Sequence, residues 1–126
     1  MALNPRYQSF VAEAAVLPFR IVKLGTADGN VVQAAAATDA AIGVADNLGQ
    51  VTPGSRVDVA KSGPVEVEAG AAITRGALLM SDASGRAITA TASAGSNVRV
   101  IGVALVSAGA AGEIITAELS MGSFQG

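Results

Sequence analysis

Between Arg56 and Glu68, Val57, Val59, Val65 and Val67 alternate with Arg56, Asp58, Glu66 and Glu68. A period of two is what a strand with one buried face needs, and a helix cannot satisfy it. Lys61-Ser62-Gly63-Pro64, in the middle, has turn chemistry. The stretch therefore predicts a hairpin with the four Val side chains on its buried face. The same grammar covers most of the chain. Further strands are expected at Phe19–Leu24, Val31–Val32, Ile42–Ala45, Leu78–Ser81, Ala87–Thr91, Val98–Val106 and Glu113–Leu119. Turn clusters at Gly25–Asn30, Asp46–Gly49, Thr52–Gly54, Asp82–Gly85 and Ser107–Gly112 separate them. Ala34–Ala41 reads as a connection, and Ser120–Gly126 as a tail. The expected fold class is mostly β, in one small domain.

The side chains available for a core are small. The chain holds 27 Ala and 15 Gly among 126 residues, a third of the total, and 15 Val. Such a composition favours β structure with close backbone approaches over a Leu-rich helical bundle. Few large side chains are buried per domain, a shortfall that oligomerisation or docking onto a larger assembly offsets. The two halves also resemble each other. Ile42-Gly43-Val44-Ala45 recurs as Ile101-Gly102-Val103-Ala104, each preceded by a strand and an Asp turn ending in Gly and followed by a Gly turn and a strand. Two similar β modules are expected, over residues 19–63 and 77–122.

Residues 1–17 form an N-terminal arm ahead of a β domain at 18–126. Asn4-Pro5 favours an extended backbone there, and Val11–Leu17 is a candidate short helix. All four aromatic residues, Tyr7, Phe10, Phe19 and Phe124, lie near the termini. Two readings follow for the arm: its rings fold back over the domain's own core, or they anchor an interface with Arg6 beside them. The interface candidates are Arg6, Tyr7, Phe10, Phe19 and Phe124. On the second reading a chain lacking residues 1–17 stays folded and binds its partner weakly. The loops at Asp46–Gly54 and Ser107–Gly112 are the alternative docking surfaces.

The chemistry available for catalysis is sparse. Without His or Cys there is no Ser-His-Asp or Cys-His arrangement, no disulfide and no ordinary zinc site. Glu66 and Glu68 could pair as acid and base, but their spacing fits a solvated strand face. Asp28 with Asn30, and Asp82 with Ser84 and Gly85, fit turns better than calcium loops. Lys23 and Lys61, the two lysines, have no flanking residues that suggest a reactive amine. No catalytic residue, cofactor or metal is expected. A net charge of −2 with dispersed basic residues gives no nucleic-acid footprint. No apolar segment approaches the roughly 20 residues of a membrane-spanning helix. The N-terminus lacks the pattern of a signal peptide, so synthesis and use in the cytoplasm, or in something assembled there, are expected.

The blocks AAIGVADNLGQVTPGSRVDVAKSGPVEVEAGAAITRGALLMSDASGRAITA and VIGVALVSAGAAGEIITAELSMG resemble the capsid decoration, or cement, proteins of tailed bacteriophages. The likeness lies in a strand ending Gly-Val-Ala, an alternating Val hairpin, an Asp-turn strand, a second Gly-Val-Ala strand and a closing strand. It covers Phe19 to Leu119. The resemblance implies a small β-barrel or β-tulip-like domain, carried as a homotrimer on the capsid surface of the virion. It implies the major capsid protein as partner, with neighbouring copies clamped together. A β domain of a phage tail, baseplate or fibre protein is the alternative, and a small carboxylate-dependent hydrolase a remote one.

Overall fold

The computed structural model describes residues 6–46, 49–91, 94–95 and 97–125, with side chains as far as residue 122. Nine strands and no helix are found among the described residues: β1 (Arg6–Ala12), β2 (Ile21–Leu24), β3 (Asn30–Gln33), β4 (Ala41–Ala45), β5 (Arg56–Glu68), β6 (Leu78–Ser81), β7 (Ala87–Thr89), β8 (Asn97–Ala104) and β9 (Ile114–Gln125). Their order is β1-β3-β2-β4-β5-β9-β8-β6-β7, and β1 also pairs with β5. That extra pairing closes β1, β3, β2, β4 and β5 into a five-stranded barrel. Closure leaves these strands without an open edge. The remaining strands extend from β5 as a second sheet.

Strand alternation sends the side chains to two cores. Phe10, Ala12, Val16, Val22, Val31, Ala45, Val57 and Val59 fill one, inside the barrel. Ile21, Val44 and Ala60, neighbours of those residues in sequence, point the other way. They pack with Val65, Val67, Leu79, Ile101, Ile115 and Leu119 of the second sheet. Where β2, β4 and β5 meet the second sheet, the barrel wall is thus buried on both faces. Small residues permit this, because β4 and β5 must approach closely where Gly43 lies against the Ala60 carbonyl.

The structure corrects the sequence reading in four places. Arg56–Glu68 is one continuous strand, not a hairpin. Its first part pairs with β1 and β4, its second part with β9, so the two arms never meet. A bulge stands there instead of a turn: the register against β1 skips Lys61, between Ala60 and Ser62, and Gly63 follows at φ 88°. The bulge flips the inward parity: Ala60 faces the second core before it, Val65 and Val67 after it. Val11–Leu17 is not helical, since β1 runs to Ala12 and Val16 then bridges to Val51. The expected tail is strand as far as Gln125, paired with β8. Finally, β2 begins at Ile21, because Phe19 has a left-handed φ of 58° that no strand residue adopts.

Candidate interaction surface

β1 begins where β5 changes partner. Ser62 of β5 is opposite Arg6 of β1, and the next residue, Gly63, is opposite Leu119 of β9. At this junction Arg6, Tyr7, Gln8, Lys61 and Ser62 line an open hollow of about 420 Å³. The Lys61 Nζ donates to Gln8 Oε1 at 2.8 Å, fixing the ammonium at the rim. Tyr7 also borders a second, smaller hollow of about 50 Å³, lined by Val44, Ala45, Ala60, Pro64 and Val65 with the carboxylates Asp46 and Glu66. Its ring therefore stands between a cationic hollow and an acidic one. Tyr7 is 51% exposed, although its hydroxyl donates to the Asp46 carboxylate. Partial burial, then that hydrogen bond and the charges of Asp46 and Asp58, raise its pKa above the ordinary tyrosine value. A part-exposed aromatic ring beside charged side chains is a common form of interface anchor.

Of the sequence candidates, Arg6 and Tyr7 come together here, whereas Phe10 is 8% exposed and lies in the barrel core. Phe19 is half-buried at the far end of β2, its carbonyl accepting from the Glu68 N–H at 2.9 Å. Phe124 is opposite Val98 in β9, and its side chain falls outside the described residues, as do Asn4-Pro5 and the Asn47-Leu48 part of one alternative loop. Gln8, Lys61 and Ser62 were not singled out by the sequence. Lys61 and Ser62 carried a turn signal, and nothing in their spacing says that β1 pairs across them.

The other carboxylates hold the scaffold. Glu13 accepts from the side chains of Asn30 and Thr26 and from the Thr26 and Ala27 N–H groups, which lower its pKa and pin the β2–β3 turn. For Asp39 burial pulls upward, but the Ala35 N–H, Lys23 and the Ala36 N–H outweigh it and the net shift is downward. Asp58 is lowered by the Ser9 hydroxyl and then by Arg56. Glu68, read from sequence as solvated, binds Arg20 at 3.2 Å and Arg86 at 3.6 Å. Asp82 Oδ1 accepts from the Ser84 and Arg86 N–H groups, the work of a turn residue.

A family model described as phage cement protein matches residues 8–119. Among solved structures, the chain is similar to the head fiber gp8.5 N base in bacteriophage phi29, at 20% identity and a TM-score of 0.68. That alignment covers 93% of this chain and 95% of the other, and the likeness is one of fold. No curated protein matches.

Proposed function

We propose that this chain, which belongs to the phage cement protein family, binds the outer surface of a phage capsid and cements neighbouring major capsid proteins. By family it is a phage structural protein, and we read it as non-catalytic, without cofactor and with no role on nucleic acid or membrane. Its place would be on the capsid surface of the virion, after synthesis in the host cytoplasm. The observation that carries the docking reading is Tyr7: a half-exposed ring between hollows of opposite charge, on a strand locked into a closed barrel. A Tyr7→Ala variant should keep its circular dichroism spectrum and thermal midpoint. It should co-sediment with empty capsids at least tenfold more weakly, as loss of about 2 kcal/mol at an anchor implies. Wild-type occupancy by the variant would move the anchor elsewhere.

A homotrimer is the proposed arrangement. Support comes from an apolar set on the outer side of the second sheet: Leu78, 47% exposed, lies opposite Val103, with Leu105 and Ile114 also exposed nearby. Exposed apolar groups in one region mark contact surfaces. The domain reading is a proposal of the same kind, with 18–126 as the β unit on which β1 of the 1–17 arm closes the barrel, and 19–63 and 77–122 as related modules. It is supported by the strand order, β3-β2-β4-β5 followed by its reverse, β9-β8-β6-β7. A fibre-base role is the second reading, favoured by the fold likeness to a head fiber base.

A further inference from the structure

β9 is longer than the partner on one of its sides. Its pairing with β5 ends at Leu119, because β1 takes over β5 from Ser62 onward. Its pairing with β8 continues to Gln125. Residues 120–125 therefore have a strand on one side and, among the described residues, none on the other. The opposite side of this ribbon is covered, since the Arg99 N–H donates to the Ala37 carbonyl at 2.8 Å. The open side is accessible: Ser120 and Met121 are exposed, and a side chain built on Gly122 would meet nothing. The segment Ser120-Met121-Gly122-Ser123-Phe124-Gln125 carries no charge and no Pro, the usual devices that protect a free edge.

Charge around this edge indicates what fits it. Arg6 and Lys61 stand at its foot, beside the residues where β9 leaves β5, and Arg99 lies on the ribbon opposite Ser123. Arg20, Lys23, Arg56 and Arg86 each meet a carboxylate, but none of these three does among the described residues. We infer that the free edge of β9 receives an extended acidic segment of the capsid partner as an added strand. Main-chain hydrogen bonds to residues 120–125 would supply the pairing, and Arg6, Lys61 and Arg99 would select for carboxylates. The inference rests on the capsid-binding reading above.

The test is co-sedimentation with empty capsids over a range of salt concentrations. Wild-type binding should weaken as salt rises. Arg6→Glu with Lys61→Glu should lower affinity about tenfold and flatten that dependence, because both side chains are exposed and the fold does not need them. Gly122→Pro and Ser123→Pro form a second pair. Successive strand residues aim their N–H groups to opposite sides, so one of the two removes an outward donor and should also weaken binding. If wild-type chain binds capsids while the charge-reversed and proline variants bind equally well, the edge is not the dock and the capsid reading stands. If wild-type chain does not bind capsids at all, the capsid reading fails and this inference with it. Self-association of the purified chain that the same substitutions abolish would assign the edge to a second copy and overturn the inference.

Discussion

Two glycines leave no room for a side chain against the neighbouring strand. A Cβ on Gly43 would come within 2.0 Å of the Ala60 carbonyl oxygen, and one on Gly102 within 1.9 Å of the Glu118 carbonyl oxygen. Both contacts are to backbone of the adjacent strand, which cannot rotate aside as a side chain can. Both glycines come from the repeated Ile-Gly-Val-Ala, so the repeat marks the same steric demand at β4 against β5 and at β8 against β9. Gly43→Ala and Gly102→Ala should each cost about 2 kcal/mol or more in urea unfolding. Gly122→Ala, whose Cβ enters open space, should stay within about 0.5 kcal/mol of the parent.

Among elements, β5 and β1 decide the architecture. The bulge at Lys61 lets β5 belong to both sheets, and Gly63, where β9 takes over the pairing, has a φ of 88° that L side chains adopt at a cost. Gly63→Ala should destabilise by about 1–2 kcal/mol, read as a lower urea midpoint with an unchanged slope. β1 closes the barrel and places Phe10 and Ala12 in its core. Removing residues 1–17 would open the barrel, expose the β3 and β5 edges and uncover Val57 and Val59. Such a chain should lose cooperative thermal unfolding and aggregate, as checked by calorimetry and light scattering. A chain that instead stays folded without residues 1–17 would support 18–126 as a unit of its own.

At the scale of the whole molecule, carboxylates tie loops and sheets together. Arg20 and Arg86 share Glu68, and Arg20 also donates to the Ser84 carbonyl, joining β2, β5 and the β6–β7 turn. Glu13, Asp39 and Asp58 have pKa values lowered by folding. A lowered carboxylate contributes stability that is present above its unfolded pKa and is lost as pH falls through the folded one. The thermal midpoint should therefore drop on acidification below about pH 4, where the unfolded carboxylates begin to take protons. With no His, it should be nearly flat between about pH 5.5 and 7.5. A midpoint that shifts steeply within that range would contradict this assignment.

The β class and most strand positions follow from the sequence alone, because a period of two, β-branched residues and Gly-Asp turns are local properties of the chain. The Ala- and Gly-rich composition also pointed to close backbone approaches, but not to Gly43 and Gly102 as their places. Local chemistry could not show what each strand pairs with. Lys61-Ser62-Gly63-Pro64 suits a reversal and a bulged strand equally, and only the competition of β1, β4 and β9 for β5 keeps the strand running through it. Arg6 and Tyr7 stood out in the sequence as interface candidates from their place near the terminus, but Lys61 joins them only through the pairing of β1 with β5, in which Arg6 lies opposite Ser62. Whether a ring faces a core or the solvent was likewise settled by closure: β1 alternates, so Phe10 enters the barrel and Tyr7, an odd number of residues away, stays outside. Long-range pairing fixes such features because the hydrogen bonds and buried area that select one register exist only after distant strands meet.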